Sequence, residues 1–237
     1  MGEERVMGVK RKRRRNYKKE RRQLLIIWVL IILAVILLGV SGYALFQAFQ
    51  KPSAEELLEK GFQQMQEEDY EGAKDSFQTV IEMEQIGAEG DSSRTDSQDT
   101  AYIAEAYRGL GLVSFELEQY EEVQMHLQKV IELKGEETPI LYNLLGISAM
   151  KLESYDSALE AFERGIEFPE TETYQDAEGK EQTVDYAAVL QEMKFNRIVC
   201  LEKRLDWEKA KEAIETYINE YPNDETAQKE AEFLSTR

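Results

Sequence analysis

Cysteine and histidine are nearly absent from this chain of 237 residues, which contains one of each, Cys200 and His126. A single cysteine forms no disulfide within the chain, and it says little about the redox compartment. The two counts also exclude Cys-x-x-Cys motifs and paired-histidine zinc motifs. We interpret His126 as a packed or surface histidine, and Cys200, which follows Ile198 and Val199, as a small core residue.

Other signatures of chemistry are missing as well. The sequence has no phosphate-binding glycine motif and no Gly-x-Ser-x-Gly nucleophile motif. The acidic cluster at 116–122 lacks the ligand spacing of a calcium loop. No asparagine begins an Asn-x-Ser/Thr sequon, which argues mildly against a glycosylated secreted protein. We therefore expect no catalytic residue, no cofactor and no metal, and an enzyme is the least favoured class.

Charged residues are also absent between Arg22 and Lys51, immediately after a strongly basic segment. As a helix, the 23 residues from Leu24 to Phe46 span about 34 Å, which covers a hydrocarbon core of about 30 Å. Such a segment must be helical in lipid because its backbone polar groups find no water there. We predict a basic tail over 1–22, a transmembrane helix over 23–46 and a short linker over 47–52.

The charges flanking this segment predict its direction. Residues 1–50 carry 11 lysines and arginines against 3 acidic residues, whereas residues 51–237 carry 18 against 44. Because basic residues next to a span stay on the cytoplasmic side, we expect a single-pass cell-membrane protein with a cytoplasmic N-terminus and an extracytoplasmic domain. The basic segment could alternatively be a nucleic-acid-binding arm or a nuclear signal. The apolar segment could alternatively be a signal peptide that is cleaved near 40–42. We expect no nucleic-acid partner, because the acidic domain repels one.

A spaced pattern of small, aromatic and apolar residues recurs four times after Pro52. A small residue in one helix allows close approach of the next, and apolar residues three and four apart form a buried stripe. Such helix pairs must stack on their neighbours to bury both faces. The four copies are Gly61, Tyr70, Ala73, Phe77, Val80; Gly111, Tyr120, Val123, Leu127, Val130; Gly146, Tyr155, Ala158, Phe162, Gly165; and Ile198, Trp207, Ala210, Ile214, Tyr217.

These motifs resemble tetratricopeptide repeats over residues 52–222. The resemblance is carried by Leu57, Gly61, Tyr70, Ala73 and Phe77 in the first copy, and by Tyr142, Leu145, Gly146, Tyr155, Ala158 and Phe162 in the third. It implies an α-solenoid of about four helical hairpins, within a domain over 53–237. Together with the predicted N-terminal transmembrane helix, the expected fold is all-α.

The copies are spaced 50, 35 and 52 residues apart, whereas the family's repeat is about 34 residues long. Two polar, acidic insertions result, near 84–99 and 170–184. We interpret them as solvated, partly disordered loops, with binding loops as the alternative. Helix caps are predicted at Ser53, through a capping box, at Thr138 before Pro139, and at 223–224 before a C-terminal capping helix.

The resemblance also implies a groove lined by the first helix of each pair. Side chains three before, one after and four after the small residue are expected to face it. The alternative is that this stripe is ordinary core between helices. The positions are Leu58, Phe62 and Met65; Arg108, Leu112 and Phe115; Asn143, Ile147 and Met150; and Phe195, Val199 and Glu202.

The resemblance therefore implies a bacterial scaffold or adaptor anchored in the cell envelope. Its groove, which is mainly apolar, would bind an apolar or amphipathic segment of another protein. That partner would be a secreted chain or an envelope-assembly component. The alternative is a passive structural or oligomerisation module, in which case the chain associates with itself.

Overall fold

Nine α-helices and one β-hairpin make up the residues that the computed structural model describes, 52–90, 97–175 and 179–237. The predicted basic tail and transmembrane helix lie outside these residues. Within the described ranges, no helix is long and apolar enough to cross a bilayer. The elements are α1 (Ala54–Gln66), α2 (Tyr70–Gly90), α3 (Ser97–Glu116), α4 (Tyr120–Glu132), α5 (Pro139–Lys151), α6 (Tyr155–Ile166), β1 (Thr171–Gln175), β2 (Glu181–Asp185), α7 (Ala187–Lys203), α8 (Trp207–Glu220) and α9 (Glu225–Ser235).

The helices pack in consecutive pairs, α1 with α2, α3 with α4, α5 with α6, and α7 with α8. Each pair also packs on the next one, and α9 closes the array against α8. The first helices of neighbouring pairs touch as well, α1 with α3 and α5 with α7. The predicted solenoid of four helical hairpins with a C-terminal capping helix is thus confirmed.

The predicted helix caps are present. The Ser53 hydroxyl accepts a hydrogen bond from the Glu56 amide at 3.2 Å, and the Glu56 carboxylate accepts one from the Ser53 amide at 3.0 Å. The Thr138 hydroxyl caps α5, whose first residue is proline. The Asp224 carboxylate accepts from two amides at the start of α9. Each side chain satisfies amides that the first turn of a helix leaves without partners.

The turn inside each helix pair contains a non-glycine residue with positive φ. These residues are Glu68, Glu118, Glu153 and Leu205, with φ between 56° and 61°. The following amide donates back to the first helix, as from Asp69 to the Gln64 carbonyl at 2.8 Å. The turn reverses the chain within a few residues. Every second helix then begins at an aromatic residue: Tyr70, Tyr120, Tyr155 or Trp207.

The predicted small residues lie at close contacts between helices. A Cβ atom added to Gly146 would lie 2.2 Å from the Phe162 ring, and one added to Gly61 would lie 2.6 Å from the Phe77 ring. Both rings are fully buried. In the fourth copy the small residue is replaced by Ile198, which is also buried. The repeat register read from the sequence is therefore correct at these contacts.

Both insertions differ from the expected loops. In the first, α2 continues to Gly90 and α3 begins at Ser97, so most of the segment near 84–99 is helical. In the second, β1 and β2 pair antiparallel, with Thr171 opposite Asp185 and Gln175 opposite Glu181. The interpretation of this segment as a loop was wrong, because its threonine, tyrosine and valine residues favour strands.

Candidate protein-binding groove

The predicted groove positions occupy equivalent places on the first helix of each pair, and they are here called the first-helix row. Its members lie on α1, α3, α5 and α7, and their spacing of three or four residues places them on one face of each helix. Leu58 and Asn143 are buried, and the other members are half-buried. The row therefore borders the core while retaining partial exposure to solvent.

The three phenylalanines of this row each contact an aromatic ring on the second helix of their own pair. The ring centroids are 5.0 Å apart for Phe62 and Phe77, and 5.6 Å apart for Phe195 and Tyr217. Phe115 lies 6.2 Å from Tyr120. One side of each phenylalanine ring thus packs in the core, while the residue is still partly exposed. The expectation of a groove and the alternative of ordinary core between helices therefore both apply in part to these residues.

Buried polar atoms without a hydrogen-bond partner are concentrated in the row. Four such atoms occur among the described residues, and three belong to the row: Arg108 Nε, Asn143 Oδ1 and Glu202 Oε1. Arg108 Nε still lies 3.5 Å from the Glu105 carboxylate, and the Glu202 carboxyl interacts with that of Glu230, so Asn143 Oδ1 is the atom left without any partner. The amide of Asn143 donates to Glu192 at 3.0 Å, which leaves its oxygen unsatisfied. An unsatisfied buried polar atom costs about 1–3 kcal/mol. A bound backbone could supply the missing partner.

Glu202 has a second unusual property. Burial and the neighbouring Glu230 carboxyl raise its pKa from 4.5 to about 7, while Lys203 opposes the shift. The raised value means that the folded protein binds this proton more tightly than the unfolded chain does. The contribution of Glu202 to stability should therefore fall as pH rises between these two values.

We expect Glu202→Gln to flatten that pH dependence, since glutamine carries no titrating proton. The check is the free energy of unfolding of both proteins, measured by urea denaturation at pH 5 and pH 8. The two chains should differ most at pH 8, with the variant the more stable. An equal decline in both would show that Glu202 is not responsible.

Arg108 joins the row to a cavity of about 680 Å³ on the side where the hairpin lies. Its Nη2 donates to the Glu136 carbonyl at 2.7 Å, and its other nitrogens lie 3.5 Å from the Glu105 carboxylate and 3.6 Å from that of Glu136. Apolar side chains from α3, α5 and the hairpin form most of the wall. The lining is Arg108, Leu112, Leu127, Glu136, Thr138, Ile140, Leu141, Leu144, Glu172, Tyr174, Val184 and Tyr186.

Of this lining, only Arg108 and Leu112 were predicted from the sequence as binding residues. The hairpin side chains were missed because the segment was interpreted as a loop. The signal was present, since Glu172 and Tyr174 alternate with threonines on β1, and Gln182 and Val184 alternate with Thr183 on β2, which places one set on each face of the hairpin.

The lone cysteine and histidine show no arrangement for chemistry. Cys200 is fully buried, and burial raises the pKa of its thiol to about 12, so it remains protonated. His126 is also buried, and burial lowers its pKa. No group of three or more histidine, cysteine or acidic side chains in the described ranges is placed to hold a metal.

Comparisons with known proteins agree with this architecture. Tetratricopeptide repeat models match residues 140–171 and 194–224, which contain α5 with α6 and α8 with most of α7. These two ranges of the chain are tetratricopeptide repeats. Such repeats are generally non-catalytic interaction scaffolds, so the domain is a protein–protein interaction module. No curated protein matches the chain.

Solved structures share the fold. YrrB, described as a TPR protein with an unusual peptide-binding site, is 21% identical, with a TM-score of 0.53 over 78% of this chain and 77% of its own. MamA is 14% identical, with a TM-score of 0.53 over 76% of this chain and 80% of its own. Identities this low establish the common fold alone.

Proposed function

We propose that this protein is a membrane-anchored scaffold whose first-helix row binds an apolar or amphipathic segment of another protein. The observation that carries the proposal is the coincidence of half-buried apolar side chains with the unsatisfied buried oxygen of Asn143 on the same row. Apolar surface would bind side chains of the segment, and the Asn143 oxygen would accept a hydrogen bond from its backbone.

The membrane anchor rests on the sequence. The uncharged stretch after Arg22 and the basic residues before it support a span with its N-terminus in the cytoplasm. The repeat domain then lies outside the cell membrane, where a secreted chain or an envelope-assembly component would be accessible. The acidity of residues 51–237 suits this setting, because it repels anionic surfaces and keeps the domain soluble.

The orientation is testable with protease added to intact cells or spheroplasts. We expect the acidic repeat domain to be digested and the basic tail to stay protected, while a cytoplasmic control protein in the same cells survives. A protected repeat domain would reverse the orientation. A mature chain that begins near Tyr43 would show that the span is a cleaved signal peptide.

Asn143→Leu tests the groove itself. The variant removes an unsatisfied buried oxygen and keeps the same branching and number of non-hydrogen atoms, while the exposed Glu192 that loses its donor can be hydrated by water. We expect an unchanged or higher free energy of unfolding, and about tenfold or greater weakening of partner binding. Urea denaturation and quantitative mass spectrometry of protein recovered from native membranes measure the two effects.

The matched control for that experiment is Asn219→Leu, the same exchange at an exposed position of α8. It should recover the same partner as the wild-type chain. Equal partner recovery from all three chains would place recognition outside the first-helix row. Recovery of only second copies of this chain would instead favour the passive oligomerisation module.

A further inference from the structure

The β-hairpin has two chemically different faces, and one of them lines the cavity next to α3 and α5. Pairing places Glu172 opposite Val184 and Tyr174 opposite Gln182. Glu172, Tyr174 and Val184 all line the cavity. The outward face carries Thr173 and Thr183, whose hydroxyl oxygens are 3.3 Å apart. The alternation of a strand thus presents apolar and acidic side chains to the cavity.

The hairpin is fixed at its base against the repeat array. Tyr186 is buried, and its amide donates to the Glu170 carbonyl at 2.7 Å. Val184 packs against the main hydrophobic core. An isolated two-stranded hairpin is marginally stable in water. These contacts hold it as a wall of the cavity.

Large apolar side chains are left exposed on both walls of this cavity. Ile140 on α5 is 45% exposed and Tyr174 on β1 is 52% exposed. Leu112, Leu141 and Leu144 line the same cavity. The volume of about 680 Å³ falls within the range of sites that bind small ligands or anchoring side chains. An entering apolar side chain would cover both exposed residues.

The charges at this cavity are unbalanced toward negative. Glu136 and Glu172 line it, together with a single cation, Arg108, which already pairs with Glu105 and Glu136. Burial, Glu172 and Glu136, in that order, raise the pKa of Tyr186, and Arg108 opposes them with a smaller effect, so the acidic side chains outweigh the cation at this tyrosine. A cation on the occupant would therefore be attracted to the hairpin side.

We propose that the cavity between the hairpin and helices α3 and α5 binds an extended protein segment that presents one apolar side chain next to a lysine or arginine. The apolar side chain enters between Ile140 and Tyr174, and the basic side chain pairs with Glu172. The site is specific to this chain's insertion. It rests on the proposed scaffold function only in that the occupant is a protein segment.

The test is selection of binders from a randomised heptapeptide phage library on the immobilised full chain. Selected clones should be enriched in an apolar residue adjacent to lysine or arginine. Ile140→Asp and Tyr174→Asp should each weaken their binding by about tenfold or more. Glu172→Lys should weaken clones in proportion to their basic charge. Gln175→Asp, next to Tyr174 but on the outward face, should change binding less than about twofold.

Several results would overturn the proposal. They are selection of acidic clones, failure to select any clone, and equal binding to the wild-type and Tyr174→Asp chains. Stronger binding to Tyr174→Asp would show that the hairpin covers a site and does not build one. Circular dichroism must show unchanged helicity in each variant, and Tyr174→Ser provides an uncharged second test of the same contact.

Asn143→Leu separates this proposal from the proposed groove function. Clones that lose binding in Tyr174→Asp and retain it in Asn143→Leu support the hairpin site while leaving the groove unsupported. Clones with the opposite response support the groove and overturn the hairpin site.

Discussion

Replacing Phe77 with aspartate should unfold the first helix pair, the largest stability effect that we expect from one substitution. The Phe77 ring is fully buried between α1 and α3, within 2.6 Å of where a Cβ of Gly61 would lie and 2.4 Å of where one of Gly109 would lie. Loss of a buried phenyl group costs about 3–5 kcal/mol, and an unpaired carboxylate in its place adds a desolvation cost.

The measurement is urea denaturation of the full chain followed by circular dichroism. The Phe77→Asp chain should lose the helicity of its first pair before denaturant is added, while later repeats persist, because each repeat is stabilised mainly by its neighbours. Met125→Asp is the control, since Met125 is 55% exposed on α4, and it should stay within about 0.5 kcal/mol of wild type. Equal curves for the two variants would contradict the core assignment.

Phe62→Asp should have an effect between these two. Phe62 is half-buried, and its ring packs against Phe77, so a carboxylate there would keep part of its hydration and lose part of the aromatic contact. A loss of helicity as complete as that of Phe77→Asp would show that Phe62 belongs to the core and not to a binding groove.

Gly146→Leu should cost about 1–3 kcal/mol, because it forces a side chain into an occupied contact. Even the first added carbon would lie 2.2 Å from the Phe162 ring, and both helices of this pair would have to move apart. The free energy of unfolding from urea denaturation measures the loss.

The matched control for Gly146→Leu is Ala101→Leu, which enlarges a small residue at an exposed position of α3. It should stay within about 0.5 kcal/mol of the wild-type chain. Identical midpoints for the two variants would mean that Gly146 does not occupy a helix contact and that the repeat register is wrong.

The repeat register could be predicted because its decisive contacts are close in sequence. Gly61 and Phe77, like Gly146 and Phe162, belong to the two helices of one hairpin. The same spacing recurs in other copies, so weak signals reinforce each other. Capping side chains such as Ser53 act within one turn of their helix, so they can also be predicted from the sequence.

The hairpin and its cavity were not predictable in the same way. Strands of five residues with mostly exposed, polar side chains give little hydrophobic periodicity. The hairpin is fixed by packing of Val184 and by the hydrogen bond of Tyr186, and only the folded array supplies that surface. The cavity, with Ile140 on one wall and Tyr174 on the other, exists only once these elements meet.

The unsatisfied oxygen of Asn143 also could not be predicted from the sequence. The resemblance placed Asn143 in the groove, but its unpaired oxygen depends on Glu192, which is 49 positions away and holds only the amide nitrogen. The positions of the first-helix row could therefore be predicted from the sequence, whereas their hydrogen-bonding state depends on contacts that only the folded chain makes. Binding by the row stays a prediction.

Site-specific photocrosslinking in native membranes tests that prediction most directly. A benzoylphenylalanine in place of Ile147 on the first-helix row should crosslink to one discrete protein, and adding Asn143→Leu to the same chain should remove that product. The same probe in place of the exposed Met125, on the second helix of another pair, should give no such product. Equal crosslinking from both positions, or crosslinks only between copies of this chain, would contradict the account.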